Sequence, residues 1–259
     1  MLRKGRPVKL NQKVLELRKN ECYAEIVFFG DVHIGAHTCE IKKAQAMLDY
    51  CLKHKIYVLC MGDMLECGLS NSIGGGVYKQ KIPPEQQMEQ AIDMLMPIAD
   101  AGLLLGIHHG NHENRISVVA GINVTKIIAG TLNVPFLSDA CWNLFKVGKM
   151  NYSAYTMHGK GGSRLFHTKV KTVTDISHYF MADIVAMGHV HQIASAMAER
   201  QYVDLRSKTI AHMKQYLILT GHYLGYFDSY AQTAGMPPSK TGSPKAKLMA
   251  EKKDVFVSF

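Results

Sequence analysis

The chain has 259 residues, of which 47% are hydrophobic and 20% charged, and carries a formal net charge of +9 without any run of 18 apolar residues. That composition excludes a membrane-spanning, collagen-like or disordered chain and fits one globular domain of α/β size. The charge excess sits in the two ends, since residues 1–20 hold seven Lys or Arg against one Glu, residues 236–259 hold five Lys against two acids, and the middle is neutral.

The expected organisation is therefore a basic N-terminal extension (1–20), a single domain (21–235) and a Lys- and Pro-containing C-terminal tail (236–259). Basic ends can grip a polyphosphate backbone, although lysine-rich ends are commonly plain solvated surface. The basic start is not followed by an apolar segment of signal-peptide length. Six cysteines, Cys22, Cys39, Cys51, Cys60, Cys67 and Cys141, lie singly without a CxxC pair. They read as reduced thiols of a soluble, cytoplasmic protein, with no membrane partner expected.

Taken in chain order, strand-like apolar runs alternate with segments of helical period. A strand over 24–29 precedes a helix over 40–53, with Ala44, Met47, Leu48 and Cys51 on one face. A strand over 56–61 precedes a helix over 84–101, with Met88, Ile92, Leu95 and Ile98 on one face and Pro97 expected to kink or shorten it. A third strand covers 103–107. A mostly helical stretch follows over 118–132, then strands over 144–147 and 152–157, a helix over 165–179, a strand over 184–187, and β pattern from about 193 to 219. Residues 236–245 read as extended. This is an α/β layered domain.

Five polar clusters follow these strands: Gly30-Asp31-Val32-His33, Gly62-Asp63, Gly110-Asn111-His112-Glu113, His158-Gly159 and Gly188-His189-Val190-His191. In extended chain, residues two apart point to one side, so Asp31 would pair with His33 and His189 with His191, each pair biting one side of a metal centre. Parallel strands would gather the clusters along one sheet edge. A single such dipeptide is noise; five in order, all of metal-ligand type, define a metal site. The set Asp, His and Asn suits manganese, the expected metal, or iron, zinc or nickel, better than magnesium or calcium.

The order D-x-H, GD, GNH-E, H, GH-x-H over residues 30–191 resembles the calcineurin-like metallophosphoesterases. The resemblance implies a four-layer α/β/β/α sandwich with two divalent metal ions. It implies Asp31, His33 and His191 as ligands of one ion, Asn111, His158 and His189 as ligands of the other, Asp63 as the bridging carboxylate, and His112 as the non-ligand histidine facing substrate. The reaction it implies is in-line attack by a metal-bridging hydroxide, without a covalent phospho-enzyme. Glu66 and Glu113 are expected to orient ligands. Arg115, Lys160 and Arg164 are candidate substrate contacts, and residues 70–81 a candidate loop beside a phosphate chain. His37, His109 and Gly221-His222 are read as structural or supporting.

The family's Ser/Thr phosphatases carry an arginine-containing signature after the GD, which Gly62-Asp63-Met64-Leu65-Glu66-Cys67 lacks. The expected activity is thus phosphodiester hydrolysis, with a nuclease acting on DNA ahead of a phosphodiesterase or phosphatase for a small nucleotide or phosphomonoester. A scaffold that has lost its metals would be expected to lack ligands, and none is missing here.

Overall fold

The computed structural model describes residues 10–70, 72 and 76–259. Its elements in chain order are β1 (Asn11–Leu15), β2 (Tyr23–Phe29), α1 (Ile41–Lys53), β3 (Tyr57–Cys60), α2 (Pro84–Asp100), β4 (Leu104–Ile107), α3 (Asn111–Ala120), α4 (Val124–Thr131), β5 (Ala140–Val147), β6 (Met150–Met157), α5 (Phe166–Tyr179), β7 (Ile184–Met187), β8 (Ile193–Asp204), β9 (Thr209–Thr220), α6 (Tyr230–Thr233), β10 (Lys245–Met249) and β11 (Val255–Ser258). No helix among the described residues is long and apolar enough to cross a membrane.

The strands form two sheets, β11-β10-β2-β3-β4 and β1-β5-β6-β7-β9-β8. β2, β3 and β4 run parallel, as do β6, β7 and β9. β3, β4 and β7 are short unbroken apolar runs, buried at every position because both faces are covered, whereas β6 alternates buried and half-buried residues. β7 shows how the layers stack: Ile184 and Ala186 join the core that also holds Phe28, Val58, Phe145 and Tyr152, whereas Val185 and Met187 pack with Val173 of α5. Helices α2 and α4 lie against β4, α1 packs on α2, and α5 covers β7 and β9. The result is the α/β/β/α sandwich implied by the resemblance.

Four local expectations are revised. The single helix over 118–132 is two: Gly121 adopts a left-handed φ of 68° and ends α3, and the Asn123 side chain accepts the Lys126 N–H to start α4. Pro97 does not shorten α2, which continues to Asp100, one turn on. Part of the N-terminal segment is β1, parallel to β5 and tied to it by an Asn11 Nδ2 to Asn143 Oδ1 bond of 2.8 Å. The C-terminal segment is not a free tail: β10 pairs antiparallel with β2 through five residues, and Ala246 and Leu248 are fully buried.

The basic ends are partly neutralised by this weave. Arg18 pairs with Glu21 and Glu25, Lys245 with Glu25, and Lys253 with Asp183. Arg3, Lys4, Arg6 and Lys9 lie outside the described residues. All six cysteines are free.

Because Leu248 fills the core between β2 and β11, Leu248→Ala is expected to lower the unfolding free energy by about 2–4 kcal/mol. Exposed Lys252→Ala should change it by less than about 0.5 kcal/mol. Urea unfolding measures both, and equal small effects would mean that the C-terminal strand contributes nothing to the fold.

Candidate metal centre

The six parallel strands end on one side in the loops that carry the polar clusters. Backbone bonds lace the first two loops together: Asp31 N–H to Gly62 O (2.9 Å), His33 N–H to Asp63 O (3.0 Å) and Ile34 N–H to Met64 O (2.8 Å). Asp31 and His33 do not meet through strand alternation. Both lie beyond the end of β2 with left-handed φ of 50° and 54°, and Asp63, His189 and His191 share that conformation at 48°, 67° and 49°. Each such non-glycine residue costs on the order of 1–2 kcal/mol. Five together mark a backbone held for its side chains.

Glycines make the close approaches possible. A Cβ at Gly110 would lie 2.1 Å from Asp63 N and 2.2 Å from Asp63 Oδ1, and one at Gly188 would lie 2.8 Å from Asp31 Oδ2. Asp31 accepts the His189 N–H at 3.1 Å and lies 3.3 Å from His191 Nε2, joining the end of one sheet to the end of the other.

Three triads of potential ligand atoms result: Asp31 with His33 and His191, Asp63 with His158 and His189, and His33 with Glu66 and His112. His189 and His191 therefore serve different clusters instead of pairing on one, because the left-handed turn between them sends their rings apart. Asp63, 1% exposed, stands between the clusters. Its Oδ1 accepts the His112 N–H at 2.9 Å; its Oδ2 faces His158 Nε2 at 3.2 Å and His33 Nε2 and His112 Nε2, each at 3.9 Å.

Hydrogen bonds on the outer side decide which ring nitrogens point inward as lone pairs. His33 Nδ1 donates to Glu66 Oε2 (3.1 Å), His158 Nδ1 to Met61 O (2.9 Å) and His189 Nε2 to Gly161 O (2.9 Å). In the neutral rings the opposite nitrogen is then an acceptor. Those acceptors face others: His33 Nε2 lies 3.1 Å from His191 Nε2, and Asn111 Oδ1 lies 2.9 Å from His158 Nε2 and 2.6 Å from His189 Nδ1. Acceptor atoms brought this close, the Asn111 Oδ1 between two ring nitrogens above all, suit a cation between them. The residues present thus fit bound divalent metal.

The buried acids and histidines shift one another's pKa values. Burial acts to raise the Asp63 pKa, yet His158, His112 and His33 hold it well below the usual carboxylate value. Burial likewise lowers His158, but Asp63 and then Asp31 carry it up to about 10, so a proton takes the lone pair where no cation does.

The supporting acids sit where they can orient ligands. Glu66 bonds His33, and burial notwithstanding, His112 and His33 lower its pKa. Glu113, fully buried, accepts the Leu65 N–H at 2.9 Å and the Gly110 N–H at 3.1 Å, and burial followed by Asp63 raises it to about 7. It pins the loop after Asp63 to the start of α3.

Around the clusters lies a cavity of about 480 Å³, lined among others by His112, Arg115, Lys79, Gly161, Gly162 and Ser163. Arg115 lies 3.1 Å from His112 Nε2 and bonds Glu66 O at 2.9 Å. Lys160 and Arg164 are exposed and do not line the cavity. Of the loop over 70–81, residues 71 and 73–75 lie outside the described residues. His37 bonds Asp228 O at 2.6 Å, and His109 bonds Thr125 Oγ1 at 3.0 Å.

Two cavity residues escaped the sequence reading as site members. His222 stacks on His191 at 5.0 Å and 17°, and burial, then His191, lowers its pKa to about 3. The repeated Gly-His after a strand was the signal for it. Lys169, on α5, carried no local signal.

No family model and no curated protein matches the chain. Among solved structures it is similar to a double mutant of Vps29 from Entamoeba histolytica, at 15% identity and TM-score 0.43, covering 90% of this chain and 89% of that one. It is similar also to YfcE, a phosphoesterase from E. coli (12%, TM-score 0.40, 89% and 96%), and to a metallophosphoesterase from Sphaerobacter thermophilus (13%, TM-score 0.39, 90% and 87%).

Elemental analysis after loading with Mn²⁺ is expected to find about two ions per chain, and saturation at 100 times Kd to add about 2.7 kcal/mol of stability for each ion, reversed by chelator. Asp63→Asn should lower occupancy of both sites, whereas His109→Gln should leave it unchanged. Full occupancy in Asp63→Asn would show that Asp63 is not shared.

His108, fully buried between Ser138 O and Thr156 Oγ1, provides a pH test of the layer beneath the site. Burial, opposed by its bond to Ser138, lowers its pKa to about 4. The folded value lies below the unfolded one, so this stability is present above about pH 6.5 and lost as pH falls toward 4, amounting to about 3 kcal/mol. In chelator, the stability difference between wild type and His108→Asn should shrink from about pH 7 to about pH 4. A constant difference would sink the assignment.

Proposed function

We propose that the chain is a metal-dependent phosphoester hydrolase. The observation that carries this reading is the convergence of potential ligand atoms from Asp31, His33 and His191 on one side of Asp63 and from Asn111, His158 and His189 on the other. These residues would hold two divalent ions, with Asp63 shared. When bound, such a pair supplies an activated water nucleophile and neutralises charge on the phosphoryl oxygens.

The chain's own residues would do the rest. His112 donates through Nδ1 to Glu66 O at 2.9 Å and directs Nε2 toward the space beside Asp63. Burial and Arg115 oppose it, but Asp63 and Glu66 raise the His112 pKa above the usual imidazole value, which favours a proton on Nε2 for the leaving oxygen once Arg115 Nη2, 3.1 Å from Nε2, turns to the phosphoryl group. Arg115, beside His112 and braced by Glu66, offers a guanidinium to a phosphoryl oxygen.

The substrate reading is a phosphodiester or phosphomonoester carried by a nucleotide-sized group. Support comes from the cavity's size and from its mixed wall, where Leu224, Tyr226, Met236 and Pro237 stand near Lys79 and Arg115. A nuclease acting on DNA is the second reading, favoured by the net charge of +9. Manganese is the proposed metal.

Purified Mn²⁺-loaded protein should hydrolyse bis(p-nitrophenyl) phosphate, with activity abolished by chelator. His112→Ala should lower kcat about 10²-fold or more while retaining both ions. Single- and double-stranded DNA assayed alongside separate the two substrate readings. Absence of metal-dependent hydrolysis from every ester would end the proposal.

A further inference from the structure

The wall of the cavity on the His191 side is equipped with donors that the proposed metal ligands and His112 leave unused. His222 Nδ1 accepts the Leu224 N–H at 3.1 Å, which places the ring proton on Nε2. That Nε2 is buried and has no partner among the described residues, and the ring is 6% exposed. The Ser239 hydroxyl, on the segment that closes this side, is also buried without a partner. Lys169 is 7% exposed and lines the same cavity, and its ammonium makes no ion pair or hydrogen bond among the described residues. It lies close enough to His222 to oppose a charge there.

Two orphaned buried polar groups are costly unless a ligand completes them, and Lys169 adds to the same cavity a cation with no carboxylate partner among the described residues. A cation flanked by an N–H and an O–H suits an oxyanion. Arg115, Glu66 and His112 are grouped together about Asp63 and His33, whereas His222 stacks on His191. The cavity thus has two separate sets of groups fit for anionic substrate.

We propose that Lys169, His222 and Ser239 form a subsite for a second, non-reacting phosphate of the substrate. The site then selects a nucleotide ester that bears a further phosphate over the same ester without it. This inference rests on the phosphoester reading above and deepens it. A phosphate on the neighbouring sugar position or the next linkage of a nucleic-acid end presents the same chemistry.

The test compares thymidine 5′-(p-nitrophenyl phosphate) with its 3′-phosphorylated derivative, which differ only by the second phosphate. Mn²⁺-loaded wild type is expected to favour the 3′-phosphorylated ester by about tenfold or more in kcat/KM. Lys169→Met and His222→Phe should each bring that ratio toward one, and Lys169→Arg should restore it. Phenylalanine keeps the stack on His191 while removing the donor. Melting temperature and metal content verify folding of each variant.

Calorimetric binding of thymidine 3′,5′-bisphosphate against thymidine 5′-monophosphate gives a second readout that needs no turnover, and the same preference is expected there. A wild-type ratio near one, or a ratio that survives in both variants, overturns the subsite. Equal loss on both esters also overturns it, by placing Lys169 and His222 on the reacting phosphoryl group. If neither ester is hydrolysed but the bisphosphate still binds preferentially and the variants lose that preference, the hydrolase reading fails and the subsite stands. A single-stranded oligonucleotide competing better than the bisphosphate would assign the second phosphate to nucleic acid.

Discussion

The Asp63 carboxylate is the group on which the centre depends. Burying a charge is expensive unless it is matched, and Asp63 is matched on both oxygens. One takes the His112 N–H and thereby positions the first turn of α3; the other faces three histidines, from the loop after β2, from α3 and from the loop after β6. Glu113 adds a second tie between the same loop and helix, and its own burial is tolerated because two backbone N–H groups end on it. Moving any of these elements would expose an unpaired charge in the core.

That arrangement is reached by backbone conformations most residues avoid. Asp31, His33, Asp63, His189 and His191 are all left-handed. The laced loops after β2 and β3, and the bond from Asp31 to the His189 N–H across the two sheets, hold them there. Strain stored at ligand positions and offset by the surrounding hydrogen bonds and core is a pattern of preorganised sites. Here the two sheets must be stacked before either cluster exists, since Asp31 and His33 come from one and His191 from the other.

The C-terminal quarter contributes more than its composition suggests. The chain leaves β9 at Gly221, passes His222 beside His191, supplies Leu224, Tyr226, Met236 and Ser239 to the cavity, and returns to pair β10 with β2. One segment therefore walls the site and completes the sheet. His37 fastens it at Asp228, so the wall is held from the side of β2 as well.

Local chemistry in the sequence determined the alternation of strands and helices, the position of each polar cluster at a strand end, and the residue types able to hold a cation. Those features depend on neighbours within a few positions: apolar runs for strands covered on both faces, period for helices, and a glycine within each polar cluster. Gly121 and Asn123 were legible breaks in the stretch over 118–132 that helical period alone obscured. Tertiary structure decided the rest. Which cluster His189 and His191 each join depends on a left-handed turn stabilised by Asp31 more than 150 residues earlier. Lys169 enters the cavity because α5 packs on β7 and β9, and Leu248 is core because β10 finds β2. Contacts of that range leave no periodic trace in the chain, since they are set by the closing of the two sheets and not by local preference.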